Sequence, residues 1–198
     1  SAPAKDAEGV AGGKTILLGV NEKLFGTCNV SSNGSCTTNA THPLAAIMHE
    51  SLGVKKAMLN TVHGYTATQS LVDGTAGRSK DFRRGRAAAM NIVPSTSGAT
   101  ISVTRVLKEL EGKFDGVAFR VPVVAGSIAD ITFISKKKTT AEEINQILTE
   151  AAASPRWQGI MKVTREQLVS SDILGMPYGA IVDLSFTKVI DGDLVKVL

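Results

Sequence analysis

The chain has 198 residues, 43% of them hydrophobic and 20% charged, with a formal net charge of +4. That size suits one domain, and the composition excludes a disordered or fibrous chain. No apolar run approaches the roughly 20 residues of a membrane helix, and two cysteines, Cys28 and Cys36, are too few for a disulfide framework or a structural zinc site.

The chain opens on Ser1, Ala2, Pro3 and Ala4 rather than on Met. No charged segment followed by an apolar one stands there, so no secretory signal is expected and the chain reads as cytosolic and soluble. It stops at Val195-Lys196-Val197-Leu198, which alternates like a strand without a polar tail. Domains seldom end inside an element, so a fragment is expected.

Asn33-Gly34-Ser35 signals a turn. Beyond it Leu44, Ile47, Met48 and Leu52 recur at helical spacing, and Gly53 supplies the stop. Pro43 falls where a helix interior should be, so either the first turn is irregular or the regular helix begins near Pro43. Residues 55–63 read as a strand. Residues 66–87 are long, polar and punctuated by Gly74, Gly77 and Gly85, and connections of that length are usually functional or disordered. The net charge sits here. Arg78, Lys80, Arg83, Arg84 and Arg86 against Asp81 account for the whole +4. Such a cluster suits a phosphate-bearing ligand, a nucleic-acid backbone or a solvated loop. Only Phe82 interleaves it, which is weak for base stacking.

Pro94-Ser95-Thr96-Ser97-Gly98 punctuates the next step, before a helix through Val103, Val106 and Leu107. Residues 117–124 alternate, and 128–134 form a second β-rich run. Thr139 or Thr140 caps a helix with Glu142 and Glu143 in its first turn and Ile144, Ile147 and Leu148 on one face. Residues 181–189 read as a late strand. Strands mixed with three helices predict an α+β fold with helices packed on one face of a sheet. No Gly-x-Gly-x-x-Gly follows a strand and no phosphate-loop signature occurs, so nothing holds a dinucleotide by the usual route.

Cys36 is the sharpest feature. It stands after a turn at a helix entrance, where unpaired N–H groups and the dipole stabilise a thiolate. The same donors would hold an oxyanion once the sulfur attacks a carbonyl, and the flanking hydroxyls could grip a phosphate. The ordinary alternative is a small buried cysteine beside capping residues. His63 ends the 55–63 strand beside the long loop, a place from which a general base can reach a nucleophile. His42 and His49 compete. His49 lies near the helix C-terminus, where its charge is favourable for structural reasons, and His42 is six residues from Cys36. The loop position favours His63. Arg120 interrupts an alternating run. Period two puts Val117, Phe119 and Val121 on one face and Ala118 and Arg120 on the other. Either that second face is simply exposed, or Arg120 is a phosphate fork.

Ser32-Asn33-Gly34-Ser35-Cys36-Thr37-Thr38-Asn39 closely resembles the active-site signature of the phosphorylating glyceraldehyde-3-phosphate dehydrogenase family, with Gly34 where Ala is usual. Thr61-Val62-His63-Gly64-Tyr65-Thr66 resembles the histidine strand of that family. Asp81-Phe82-Arg83-Arg84-Gly85-Arg86, Pro94-Ser95-Thr96-Ser97-Gly98-Ala99, Phe119-Arg120-Val121-Pro122 and Val169-Ser170-Ser171-Asp172 agree in order. The likeness covers essentially the whole chain.

The resemblance implies the family's catalytic domain, with a mostly antiparallel, mixed sheet. It implies that Cys36 attacks the aldehyde of glyceraldehyde 3-phosphate to give a hemithioacetal. His63 would take the hydroxyl proton as hydride leaves for NAD. Inorganic phosphate would then cleave the thioester to an acyl phosphate. Thr66 and Arg120 match the residues that hold the substrate phosphate. Ser35, Thr37, Ser97 and Gly98 match the site of the attacking phosphate, with Ser97 where Thr is typical. The 66–86 segment resembles the family's S-shaped loop, which lies against a neighbouring subunit's cofactor pocket. That favours a homotetramer and counts against nucleic acid.

Residues 1–198 are therefore expected to be a single catalytic domain. The NAD-binding Rossmann domain and the final C-terminal segment would be absent from it, and hydride transfer by the chain alone would be lost. Two alternatives stand beside this: an erythrose-4-phosphate dehydrogenase domain, which shares the cysteine, histidine and fold, and a non-catalytic binding or assembly domain using the basic loop.

Overall fold

The structure is a computed structural model that describes residues 12–77 and 79–198; residues 1–4 and Arg78, singled out above, lie outside the described residues. Among the described residues three α-helices and ten strands follow one another: β1 Gly13–Thr15, β2 Val30–Ser32, α1 Cys36–Leu52, β3 Val54–Gly64, β4 Val93–Thr96, α2 Ala99–Val106, β5 Phe114–Val121, β6 Ser127–Ser135, α3 Ala141–Ala153, β7 Met161–Thr164, β8 Ala180–Asp183, β9 Lys188–Ile190 and β10 Leu194–Val197. Six strands make the main sheet in the order β4-β5-β3-β6-β10-β9. Only β3 and β5 run parallel within it; every other neighbour is antiparallel. Two small parallel pairs, β1–β2 and β7–β8, lie against the helices, β1 on α2, β7 on α3 and β8 on α1. The α+β expectation holds.

Alternation decides which face of the sheet meets the helices. Leu59, Ile131, Phe133, Val195 and Val197 are buried against Leu44, Ile47 and Met48 of α1, with Val103, Ile144 and Leu148 from the other helices. The opposite face is open and mixed: Met58, Val117, Ile128 and Ile190 are 51%, 45%, 50% and 64% exposed, beside the Asp130–Lys196 ion pair. Ala118 is buried at 3% exposure, and Arg120, on the same face, is partly buried. The simple account of Arg120 as a residue on an exposed face is thus corrected. Its face is the one that packs toward the helices, and the valine face is the open one.

Three boundaries also differ from expectation. Helix α1 begins at Cys36 and runs on through Pro43, so the helix does not start near the proline. Pro43 removes one intrahelical donor, a cost of about 3 kcal/mol that burial of Leu44, Ala45, Ala46, Ile47 and Met48 offsets. The 117–124 run starts three residues earlier and stops at Val121, because Pro122 has no N–H for the ladder. The single late strand over 181–189 is two strands in two different sheets. The Asp183 carboxylate accepts from the Ser185 N–H and starts a 3-10 turn at Leu184–Phe186, which breaks the ladder between β8 and β9. Thr140 is the cap of α3, and its hydroxyl accepts from the Glu143 N–H.

Close approach of β5 to β3 rests on Gly116. A Cβ there would stand 2.5 Å from the Leu59 carbonyl oxygen and 2.8 Å from the Leu59 Cβ. Gly116→Ala is expected to cost about 2 kcal/mol and to lower the melting temperature by about 4–8 °C, because two paired strands must part. Gly26→Ala, where nothing lies within 4 Å of the new Cβ, is the control and should melt like the parent.

Candidate active site

The loop before α1 is braced before it meets anything else. Gly34 takes φ +74°, a conformation that other residues rarely adopt, and its N–H donates to the Ser32 hydroxyl. Ser35 is the N-cap of a full capping box: its hydroxyl accepts from the Thr38 N–H, and the Thr38 hydroxyl accepts from the Ser35 N–H, both at 3.1 Å. The Asn39 amide donates to the Asn33 and Ser35 carbonyls. Cys36 is therefore fixed as the first residue of the helix, with its side chain exposed.

Its sulfur lies 3.3 Å from Nε2 of His63 at the end of β3. That contact, helped by the Thr37 N–H and hydroxyl, pulls the thiol from an ordinary 9.0 down to about 7 against the opposing effect of burial. The imidazole moves the other way, raised chiefly by its bond to Cys36. The two shifts describe one proton shared between a sulfur and a ring.

The parallel register sets the next partner. His63 and Arg120 are directly opposite on β3 and β5. Nη1 of Arg120 lies 2.7 Å from His63 Nδ1 and donates to the Gly64 carbonyl at 3.1 Å; the same carbonyl oxygen is 2.7 Å from Nδ1. Burial and the charge of Arg84 both lower the pKa of Arg120. Beyond it the Thr66 and Thr68 hydroxyls are 3.0 Å apart, and Arg84 donates to Thr68.

The structure thus gathers Cys36, Thr37, His63 and Arg120, with Thr66 close by in sequence. Ser35 stands next to the sulfur with its hydroxyl shared with Thr38. Ser97 and Gly98 lie at the start of α2, where the Ser97 hydroxyl accepts from the Ala99 N–H. Val93, not Ser97, is opposite Arg120 on β4, and Ser97 follows the end of that strand at Thr96. Among the described residues no side-chain hydrogen bond ties Ser97 or Gly98 to Cys36, His63 or Arg120.

The competing histidines have structural partners. His42 is fully buried, with Nδ1 facing the Thr38 carbonyl and Nε2 the Leu18 carbonyl, and burial lowers its pKa. His49 accepts from the Val54 N–H at the helix end. The basic cluster is largely paired: Arg83 with Asp81 at 2.8 Å, Arg86 with Asp73 at 3.4 Å, and Arg84 turned to Thr68. Thr68 was not singled out from the sequence, and Arg84 was named only as one member of the basic cluster. The Thr-x-Thr spacing and the charge excess were the available signals, but neither says which way a loop side chain turns.

A glyceraldehyde 3-phosphate dehydrogenase, C-terminal domain, family model matches residues 35–198. A glyceraldehyde-3-phosphate dehydrogenase of Mycolicibacterium smegmatis is 45% identical over 192 residues, 96% of this chain and 54% of the relative. One of Borreliella burgdorferi is 43% identical over 198 residues, 99% of this chain and 57% of the relative. One of Mycobacterium tuberculosis is 44% identical over 199 residues, 100% of this chain and 56% of the relative. The chain spans about half the length of the curated relatives it matches.

Proposed function

The chain belongs to the glyceraldehyde 3-phosphate dehydrogenase C-terminal domain family, and on that premise we propose that it is the catalytic domain of a phosphorylating, NAD-dependent glyceraldehyde-3-phosphate dehydrogenase of cytoplasmic glycolysis. The observation that carries this is the Cys36–His63 pair at 3.3 Å on a helix N-terminus, with Arg120 held beside it in strand register.

In this reading the Cys36 thiolate attacks the aldehyde carbon of glyceraldehyde 3-phosphate. A C–S bond forms, the carbonyl oxygen takes a proton, and a hemithioacetal results. The first N–H groups of α1 stabilise the developing oxyanion. His63, already at the sulfur, is placed to hold the hydroxyl proton. Thr66 and Arg120 hold the substrate phosphate. At the thioester stage an oxygen of inorganic phosphate, bound by Ser35, Thr37, Ser97 and Gly98, attacks the acyl carbon. The C–S bond breaks, the electron pair returns to sulfur, and 1,3-bisphosphoglycerate leaves.

NAD, when bound, supplies the hydride acceptor, but the described residues do not fit it. The β2–α1 junction carries Gly34 alone, the β4–α2 junction Gly98 alone, and the β6–α3 junction no glycine, so none offers the glycine triplet that lets a pyrophosphate approach a backbone. We place the cofactor site in the remaining length of the full enzyme. The open sheet face and the exposed Val72, Phe82 and Met90 of the long loop suit burial against further copies in a homotetramer.

The test has two arms. The 198-residue chain alone, given glyceraldehyde 3-phosphate, phosphate and NAD, should produce no NADH. A chimaera in which it replaces the matching 54% of the Mycolicibacterium relative should produce NADH, faster than with erythrose 4-phosphate. An inactive but folded chimaera would overturn the assignment.

A further inference from the structure

Asn-Gly occurs once in the chain, at Asn33-Gly34, in the turn that leads into Cys36; every other asparagine precedes a residue with a side chain. The side-chain amide of an asparagine can be attacked by the main-chain nitrogen of the next residue. Glycine leaves that nitrogen without a β-carbon beside it, so the approach is least hindered there. The structure keeps both reacting groups out of regular structure, because β2 ends at Ser32 and α1 begins at Cys36. Asn33 is exposed, and among the described residues no hydrogen bond holds its side-chain amide. The brace around it grips main-chain atoms instead. Asn39 Nδ2 donates to the Asn33 main-chain carbonyl at 3.0 Å, and the Gly34 N–H donates to the Ser32 hydroxyl at 3.2 Å. The attacking nitrogen is thus tied to a single hydroxyl rather than to a helix or sheet ladder.

We propose that Asn33 is a deamidation site of the folded chain, and that its isoaspartate product slows the Cys36 thiol. The Gly34 nitrogen forms a bond to Asn33 Cγ, the Cγ–Nδ2 bond breaks, and ammonia leaves with the Gly34 amide proton. A succinimide ring results. Water then opens the ring: its oxygen bonds to one of the two carbonyl carbons, the bond from that carbon to nitrogen breaks, and the nitrogen recovers a proton. Opening at Cγ gives aspartate. Opening at the main-chain carbon gives isoaspartate, in which the chain runs through Cβ and Cγ and is one carbon longer. Water is the only co-reactant, and nothing is oxidised or reduced.

The consequence for Cys36 follows from what the brace holds. The succinimide nitrogen carries no hydrogen, so the bond to Ser32 is lost at the first step. In isoaspartate the oxygen that Asn39 grips belongs to a free carboxylate outside the main chain, and the added carbon shifts Gly34 and Ser35 relative to Thr38. The capping box needs the Ser35 N–H and hydroxyl each 3.1 Å from Thr38, so the cap that fixes Cys36 as the first helical residue loosens. The new carboxylate also stands beside the first turn of α1. A negative charge there disfavours a neighbouring thiolate and competes with it for the same helix end. The turn that presents the nucleophile therefore carries a slow chemical clock that runs in water alone.

One tryptic peptide reads both halves of the proposal. Residues 24–55 contain no internal lysine or arginine and carry Asn29, Asn33 and Asn39 together with Cys28 and Cys36. The chain is kept in mildly alkaline, reducing buffer until a fraction has converted, with a melting curve to show that it stays folded. It is then labelled briefly with iodoacetamide below the thiol's titration and digested. Asn33 should convert while Asn29 and Asn39 stay intact. Within the same sample, Cys36 should be alkylated about threefold or more slowly in peptides with isoaspartate at 33 than in intact ones, the factor that a helix terminus gives a charge. Cys28 should be labelled equally in both. Asn33→Gln, whose amide must close a six-membered ring, should keep its mass and its Cys36 labelling through the same incubation. The active chimaera yields the same peptide and should lose NADH formation in step with isoaspartate. An intact Asn33 in the folded protein overturns the site, and so does conversion of Asn29 or Asn39 at the same pace. Equal Cys36 labelling in isoaspartate and intact peptides overturns the effect on the thiol, as does an equal loss of labelling in the Asn33→Gln chain.

Discussion

Cys36→Ser in the active chimaera is expected to lower NADH formation by about 10⁴-fold, without changing the fold. A serine hydroxyl in the same place has the helix donors and His63 beside it but is scarcely ionised, and it forms an ester where the cysteine forms a thioester, so both the attack and the transfer to phosphate suffer. The capping box that starts α1 uses Ser35 and Thr38 and leaves the side chain at position 36 out of the helix's own bonding, which is why the substitution should leave stability close to the parent. Initial rates on glyceraldehyde 3-phosphate check the first part, and a melting curve checks the second. Retention of more than a tenth of the rate would remove Cys36 from the role of nucleophile.

The second large effect is on the reactivity of the thiol. At pH 6 a thiol at about 7 is roughly one-tenth ionised, whereas one at the ordinary 9.0 is roughly one-thousandth ionised. His63→Asn removes the first cause of that lowering and leaves burial, which pushes the thiol up. The thiolate fraction should fall about hundredfold. A more basic thiolate is intrinsically a better nucleophile by about tenfold over two pKa units, so alkylation by iodoacetamide should slow about tenfold at pH 6. In the parent the rate should rise through about pH 7 and level off; in the variant the rise should move to higher pH. Peptide mass spectrometry at Cys36, with Cys28 followed in the same digest, measures both. Cys28 donates to the Phe25 carbonyl, and among the described residues no imidazole is bonded to it, so it should not respond to the substitution. Equal rates in parent and variant would mean that the 3.3 Å contact does not set the thiol's acidity.

Much of the fold was legible because it depends on short-range signals. Gly53 ends α1 as its position suggested, with the left-handed φ of +71° that favours glycine. Thr140 caps α3 because a hydroxyl three residues before Glu143 can reach its N–H. The late strand was misread because alternation over 181–189 is the same whether one ladder or two is formed; the break lies in the Asp183 side chain, which turns back on Ser185. Periodicity left Arg120 open between two accounts for a related reason. Period two sorts residues into two faces but does not say which face the helices cover, and a half-buried arginine looks like an exposed one in a string.

For the site, the sequence by itself determined its chemical parts. A cysteine at a helix entrance is fixed by capping residues within four positions of it, so the turn, the cap and the nucleophile travel together in one octapeptide. The loop position and the family resemblance already favoured His63 among the three histidines, but its contact with Cys36 and its pairing with Arg120 across 57 residues belonged to the tertiary structure alone. Strand register is set by how the whole hydrophobic pattern of β3 and β5 packs beneath α1, and no local spacing carries that information. The same packing turned Thr68 and Arg84 toward one another from a loop whose sequence shows only its charge.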